Sequence, residues 1–186
     1  MAKLTYAMAA SLDGYVEDEQ GSFAWAKPDE EVHRFVNERE RDIGTYLLGR
    51  RMYETMAVWE TDPLIAQESE YMREYAEIWQ GVDKVVYSRT LDAVPTRRTR
   101  LEREFDPDAI RALKASAERN LAVAGPNLAS SAFEAGLVDE IRLLIAPAIV
   151  GAGKPVLPAG ARVDLELVEE RRLANGMVHL RYRARD

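Results

Sequence analysis

Apolar positions along this chain follow two alternating periods, and the alternation predicts strands separated by helices. Leu4, Tyr6 and Met8 fall on one face of a period-two run from Lys3 to Ala9, which reads as a strand closed by an Asp13-Gly14 turn. Asp29 stands where it can cap a helix whose Val32, Phe35, Val36 and Ile43 recur at helical spacing. Tyr46-Leu47-Leu48-Gly49 reads as a short buried strand, followed by a short helix around Arg51 to Ala57 and a longer one from about Leu64 to Trp79. Lys84 to Ser88 is the next strand. Asp106-Pro107 then joins a cap to a proline at the first helical position, with Ile110, Leu113 and Ala117 on the inner face. Leu121 to Ala124 is a strand, Pro126 to Ala135 a helix stopped by Gly136, and Glu140 to Ala146 a nearly continuous apolar strand.

Strands separated by helices imply right-handed crossovers, hence an α/β fold with a mixed, mostly parallel central sheet flanked by helices. The tail differs. Val163 to Leu167 and Val178 to Tyr182 flank Asn175-Gly176, a tight-turn signal, so the sheet is expected to end in a C-terminal antiparallel hairpin. Without a linker or repeat, residues 1–186 are expected to form one domain.

Composition narrows the chemistry. With no cysteine, thiolate nucleophiles, thiolate zinc sites and the two-cysteine zinc-deaminase signature are excluded, and two histidines are too few for a His-rich metal centre. No metal is expected. A net charge of −7 opposes nucleic-acid binding, with only the Thr96 to Arg100 TRRTR run leaning the other way. No stretch approaches a membrane span, and the apolar start is interrupted too soon by Asp13 for a signal peptide, so a soluble, cytoplasmic protein is expected.

In such a sheet, ligands sit outside the carboxyl ends of the strands. Three of these ends carry suitable residues. At Ala124-Gly125-Pro126-Asn127-Leu128 a glycine permits close backbone approach before a helix start whose amides can hold phosphate; ordinary capping explains the same residues equally well. Gly49-Arg50-Arg51 delivers two guanidinium groups to the rim, a clamp for phosphate or a basic turn pairing with Glu54 or Glu60. Ser88-Arg89-Thr90 places a hydroxyl and a cation after a third strand. The glycines of Gly151-Ala152-Gly153-Lys154 open no helix and read as a turn into the tail, or as a loop bordering a pocket.

Taken together, MAASLDGYV (Met8 to Val16), LLGRRMYE (Leu47 to Glu54), VVYSRTL (Val85 to Leu91) and the run from Ala124 to Pro158 resemble the dihydrofolate reductase-like family. The resemblance is closest to the C-terminal reductase domain of bacterial riboflavin-biosynthesis deaminase-reductases, as a stand-alone relative. It implies NADPH as cofactor and a homodimer built partly from the C-terminal strands. It further implies contacts from Gly49, Arg50 and Arg51 to adenosine-side phosphates, and from Ser88 and Arg89 to the ribose or its 2′-phosphate. Gly125, Pro126, Asn127 and Leu128 would meet the diphosphate, and Ala9 would lie beside the nicotinamide. Pro126 departs from the consecutive glycines common in the family and removes one amide donor.

Candidate acids are Asp13, which also suits the turn with Gly14, and Glu30, at the head of the first helix after a Trp-containing loop. Ser11, Trp25 and Tyr53 are candidate substrate-lining residues. The expected activity is reduction of a small heterocycle, resembling 5-amino-6-(5-phosphoribosylamino)uracil reductase or dihydrofolate reductase, without deamination. The alternative is a non-catalytic dimer that binds a nucleotide or flavin.

Overall fold

The computed structural model of the chain describes residues 1–185. β1 (Leu4–Ala10) leads to β2 (Tyr15–Asp18), a 3-10 turn at Ala24–Ala26 and α1 (Glu30–Glu40). β3 (Ile43–Gly49) is followed by α2 (Arg50–Met56), α3 (Val58–Thr61), α4 (Ile65–Glu68) and α5 (Glu70–Gly81). Then come β4 (Asp83–Tyr87), β5 (Thr99–Glu102), α6 (Pro107–Ser116), β6 (Asn120–Ala124), α7 (Pro126–Glu134) and β7 (Glu140–Ile145). The tail holds β8 (Gly153–Pro155), β9 (Leu165–Arg172) and β10 (Val178–Ala184).

The main sheet runs β5-β4-β3-β6-β1-β7-β10-β9, parallel from β5 to β7 and antiparallel across β10 and β9. This is the mostly parallel mixed sheet with a terminal hairpin that the hydrophobic periods predict. Alternate side chains of each strand serve opposite cores. Leu4, Tyr6, Leu47, Leu121 and Val123 pack with Ile110 of α6 and Ala129 and Ala132 of α7. On the other face Ile43, Leu48, Val86 and Ala122 pack with Tyr75 and Trp79 of α5, while Val32 and Phe35 of α1 meet Ala146, Leu173 and Met177. Leu4, Tyr6, Leu47 and Leu121 are fully buried, and each such side chain stabilises the fold by about 1.5–3 kcal/mol.

Four local features refine this picture. Ile43 opens β3 rather than closing the first helix, because α1 ends at Glu40 and Arg41-Asp42 make the turn. The long helix expected from Leu64 is two, broken where Ser69 takes an extended backbone (φ −159°, ψ 166°) and its hydroxyl accepts from the Met72 N–H as the cap of α5. The TRRTR run enters a short edge strand, β5, with Thr99 and Leu101 half-buried and Arg100 and Glu102 outward. The hairpin begins at Leu165 and extends to Arg172, its turn closed by Gly176 at positive φ (88°).

β2 and β8 form a separate antiparallel ribbon. Gly153 makes it possible: a Cβ there would overlap the Glu17 carbonyl, and the residue sits at φ 149°. The ribbon lies on the α6/α7 side, where Val16 and Val156 join that core and the Tyr6 hydroxyl donates to the Val156 carbonyl.

On the α1 side, β7 and β10 carry a partly buried charged layer. Arg39 of α1 pairs with Glu169 at 2.5 Å, and Arg142 with Glu140 at 3.0 Å. His179 is buried here against Phe35, and burial, reinforced by Arg39, Arg142 and Arg181 against Glu169, pushes it down to about 4. The unfolded chain therefore binds the proton first. The stability that a neutral His179 contributes is complete above its ordinary value near 6.5 and is lost as pH falls toward about 4, a loss of about 2–3 kcal/mol. Urea titrations of wild type and His179→Phe between pH 7 and 4 should show this slope in the wild type and a shallower one in the variant.

Candidate functional site

Because β1, β3, β4, β6 and β7 are parallel, Ala10, Gly49, Ser88, Gly125 and Ala146 arrive at one rim. On the α1 face of this rim, β1 presents Ala7 and Ala9 and β6 presents Ala124. All three are only half-buried, although both strands are central. Side chains this small leave a groove in the sheet face, and Ala9 lies on its floor, paired in register with Leu144.

One half of the rim is basic and rich in hydroxyls. Gly49 caps α2, and a Cβ on it would touch Leu128 of α7 at 3.8 Å, so the starts of the two helices lie together. Arg50 Nη1 donates to Thr90 Oγ1 at 2.9 Å while its Nε meets Glu54 at 2.8 Å. Ser88 is buried, and its hydroxyl accepts the amides of Thr90 (3.2 Å) and Leu91 (3.1 Å), which curls the loop after β4. Arg103 Nη1 donates to the carbonyls of Ser88 (3.0 Å) and Leu91 (2.6 Å). Arg89 points outward to Glu104 at 3.3 Å, with both side chains mostly exposed, and Arg51 is exposed. Sequence reasoning missed Thr90 as a partner of Arg50 and missed Arg103 altogether, since Arg103 reaches the rim only through β5.

Gly125 joins this half. It adopts φ 93°, and a Cβ there would press on Met52 at 3.4 Å, so glycine allows β6 to turn into α7 beside α2. Helices α1, α5 and α6 take side-chain caps from Asp29, Ser69 and Asp106, but α7 has none. Pro126 is buried and has no N–H. The N–H groups of Asn127 and Leu128 lack intrahelical acceptors by helix geometry and lie at the positive end of the helix dipole.

The other half is built from two loops. The Asp13 carboxylate accepts from Val150 N (3.2 Å) and Gly151 N (2.8 Å), while Leu12 N donates to the Ala148 carbonyl at 2.7 Å. The Ser11 hydroxyl, then the Gly151 and Val150 amides, hold Asp13 below the usual carboxylate range. Asp13 is thus a clamp that stays ionised, and the role of proton donor expected for it does not suit its bonds. Ser11 is fully buried and closes the turn by accepting from Tyr15 N at 3.0 Å, so it presents no surface to a substrate. Tyr53 is buried too, its hydroxyl 3.0 Å from Thr96 Oγ1, and belongs to the α5-side core. Glu30 is exposed and paired with Arg34 at 2.9 Å, which also reaches Glu70. Trp25 does lie at this rim, against the Ala146, Leu173 and Met177 cluster.

A protein-family model described as the RibD C-terminal domain matches residues 2–179. Protein YyaP of Bacillus subtilis strain 168 is 26% identical over 178 residues, covering 94% of this chain and 91% of its own. A protein from Shewanella sp. PV-4 described as a riboflavin biosynthesis protein superposes with TM-score 0.76 at 20% identity, covering both chains completely. A pyrimidine reductase-like protein from Corynebacterium diphtheriae gives 0.67 at 13% identity, covering all of this chain and 93% of that one. A deaminase/5-amino-6-(5-phosphoribosylamino)uracil reductase from Thermotoga maritima gives 0.66 at 15% identity, and its match spans 99% of this chain but 57% of that longer one. The three structures share the fold.

Replacing Asp13 with Asn should leave the melting temperature close to wild type but raise amide exchange at Val150 and Gly151 by about tenfold, read by hydrogen–deuterium exchange. In the wild type the same protection should persist at neutral pH and fade only in acid, as pH drops through the depressed Asp13 value.

Proposed function

The chain belongs to the RibD C-terminal domain family, and on that premise we propose that it is an NADPH-dependent reductase of a small heterocyclic substrate. The observation that carries this reading is the meeting of Arg50, Ser88, Thr90 and Arg103 with the uncapped start of α7 at one end of a groove floored by alanines. The fit is chemical as well as spatial. Guanidinium groups match phosphate oxygens in pairs, and free amides at a helix start favour negative charge.

In this arrangement Asn127 and Leu128 would hold the diphosphate through their amides, with Gly125 allowing the close approach. Arg50, steadied by Thr90 and Glu54, and the curled Ser88 loop would hold the 2′-phosphate end. Arg51 and Arg89 add positive potential from the exposed side. Ala9 and Ala7 would leave room for the flat nicotinamide, and Trp25 would close the groove against water. Bound there, the cofactor supplies a hydride. The two candidate acids are already committed, Asp13 to backbone amides and Glu30 to Arg34, and we assign proton delivery to water or to the substrate itself.

That commitment also favours a second reading, a nucleotide- or flavin-binding protein without turnover. Stopped-flow mixing of the NADPH complex with candidate heterocycles separates the two: loss of reduced-nicotinamide absorbance supports the reductase, and tight binding without loss supports the carrier.

A homodimer through the C-terminal strands is part of the proposal. On the α6/α7 side of the sheet, Leu143, Ile145, Val178, Leu180 and Tyr182 are half-buried and Leu167 is largely exposed, forming an apolar face at the β7-β10-β9 end. A second copy would cover it.

Two outcomes test these points. Arg50→Ala should weaken NADPH binding about tenfold or more while changing NADH binding little, measured by nicotinamide fluorescence; a protein with no saturable binding of either nucleotide ends the cofactor reading. Leu180→Glu should convert a sedimenting dimer to a monomer, and a monomeric wild type would overturn the dimer.

A further inference from the structure

The two halves of the rim differ in charge, and the difference bears on what the enzyme reduces. The ribbon containing β2 packs with Tyr6 and Val156 on the α6/α7 side, whereas α1 packs on the opposite side. The start of α1 is fastened at the carboxyl end of β7: Glu31 accepts from Ala174 N at 2.8 Å, in the turn that precedes Val178, the register partner of Ile145. The intervening segment from Glu19 to Asp29 therefore crosses the rim as a strap, and Trp25 anchors it against Ala146. The 146–158 loop is tied to Asp13 and, through β8, to β2, from which the strap departs.

Residues 11–31 carry seven acids (Asp13, Glu17, Asp18, Glu19, Asp29, Glu30 and Glu31) and one base, Lys27; residues 146–158 add only Lys154. Seven against two leaves five negative charges in excess. Few are neutralised by cations. Glu30 meets Arg34, and Lys154 meets Glu17 at 4.0 Å, but Asp13, Asp18, Asp29 and Glu31 accept from neutral backbone amides. The same segments expose Leu12 (65%), Phe23 (53%) and Ile149 (74%). Trp25 adds an indole N–H that is buried and finds no acceptor among the described residues.

From this, and resting on the reductase reading above, we infer that the substrate is a flat, carbonyl-bearing heterocycle that carries no phosphate. A phosphate dianion on the strap side meets uncompensated carboxylates, while the arginines that would welcome it stand at the β3 and β4 ends. The apolar side chains and the Trp25 N–H suit an uncharged ring with a carbonyl edge. Reducing such a substrate would move one hydride from NADPH to the ring and one proton from water, leaving NADP+, hydroxide and the dihydro product. The preceding reaction in any sequence that supplies it must then deliver a dephosphorylated compound.

Riboflavin and FMN, identical but for one phosphate, serve as probes. Their binding is measured by flavin fluorescence on the intact chain, with and without saturating NADP, so the comparison reads whether or not the nucleotide binds. Riboflavin should bind about tenfold more tightly than FMN at low salt, and the ratio should shrink as salt is raised. The doubly neutralised Asp18→Asn/Glu19→Gln variant, in which the Asn oxygen can still accept the Gln20 and Ser22 amides, should narrow the ratio by recovering FMN binding. Trp25→Phe should weaken both flavins alike. FMN binding as tight as riboflavin, a ratio indifferent to the neutralised pair, or binding of neither flavin overturns the inference. Absence of NADPH binding in a separate titration would instead sink the cofactor reading and leave the flavin ratio to be judged by itself.

Discussion

Strands that run parallel in one sheet must release their chains at the same edge, and most of what this protein presents to a ligand follows from that constraint. Leu47, Leu121, Leu4 and Tyr6 are fully buried on adjoining strands, and their burial makes the parallel order β4-β3-β6-β1-β7 the stable one. Once it forms, Gly49, Ser88 and Gly125, which are far apart along the chain, become neighbours. No pairwise contact among them has to be strong, because the sheet holds their backbones in place.

On the function proposed above, the rim reconciles two demands. A cofactor rich in phosphate asks for exposed cations and unsatisfied amides, which destabilise a fold when buried; here they stand at the ends of elements, where water can serve them. A reacting ring asks for a small-residue floor, which Ala7, Ala9 and Ala124 provide at the cost of side-chain burial on two central strands. Carboxylates in the β1–β7 half are used for architecture. Asp13 ties two loops, Asp29 caps α1 and Glu31 ties that helix to the hairpin turn, so negative charge accumulates on one side without a dedicated acid. The arginines at the opposite end complete a polarised rim along which a ligand with a charged end and a neutral end would align in one direction.

Much of this was legible in the residue order. Periods of two and 3.6 identified the strands and main helices, Asp106-Pro107 and Gly136 marked ends, and Asn175-Gly176 marked the hairpin, because these signals depend on neighbours a few positions away. Gly49, Arg50, Ser88 and Gly125 could be nominated since strand ends are where such a sheet binds ligands. By itself, then, the sequence determined the alternation of elements, the absence of thiol chemistry and the residues that reach the rim.

Tertiary structure decided how those residues are used. Ser11 and Tyr53 look available in the sequence, but their hydroxyls close a turn and pair with Thr96 in the core. Asp13 looks like an acid until Val150 and Gly151, more than a hundred residues later, donate to it. Arg103 became a rim residue because the short edge strand β5 pairs with β4, and four residues with two half-buried side chains leave too weak a period to read. A side chain's role depends on its partners. Partners at long sequence separation are chosen by the burial of the whole sheet, which no local pattern encodes.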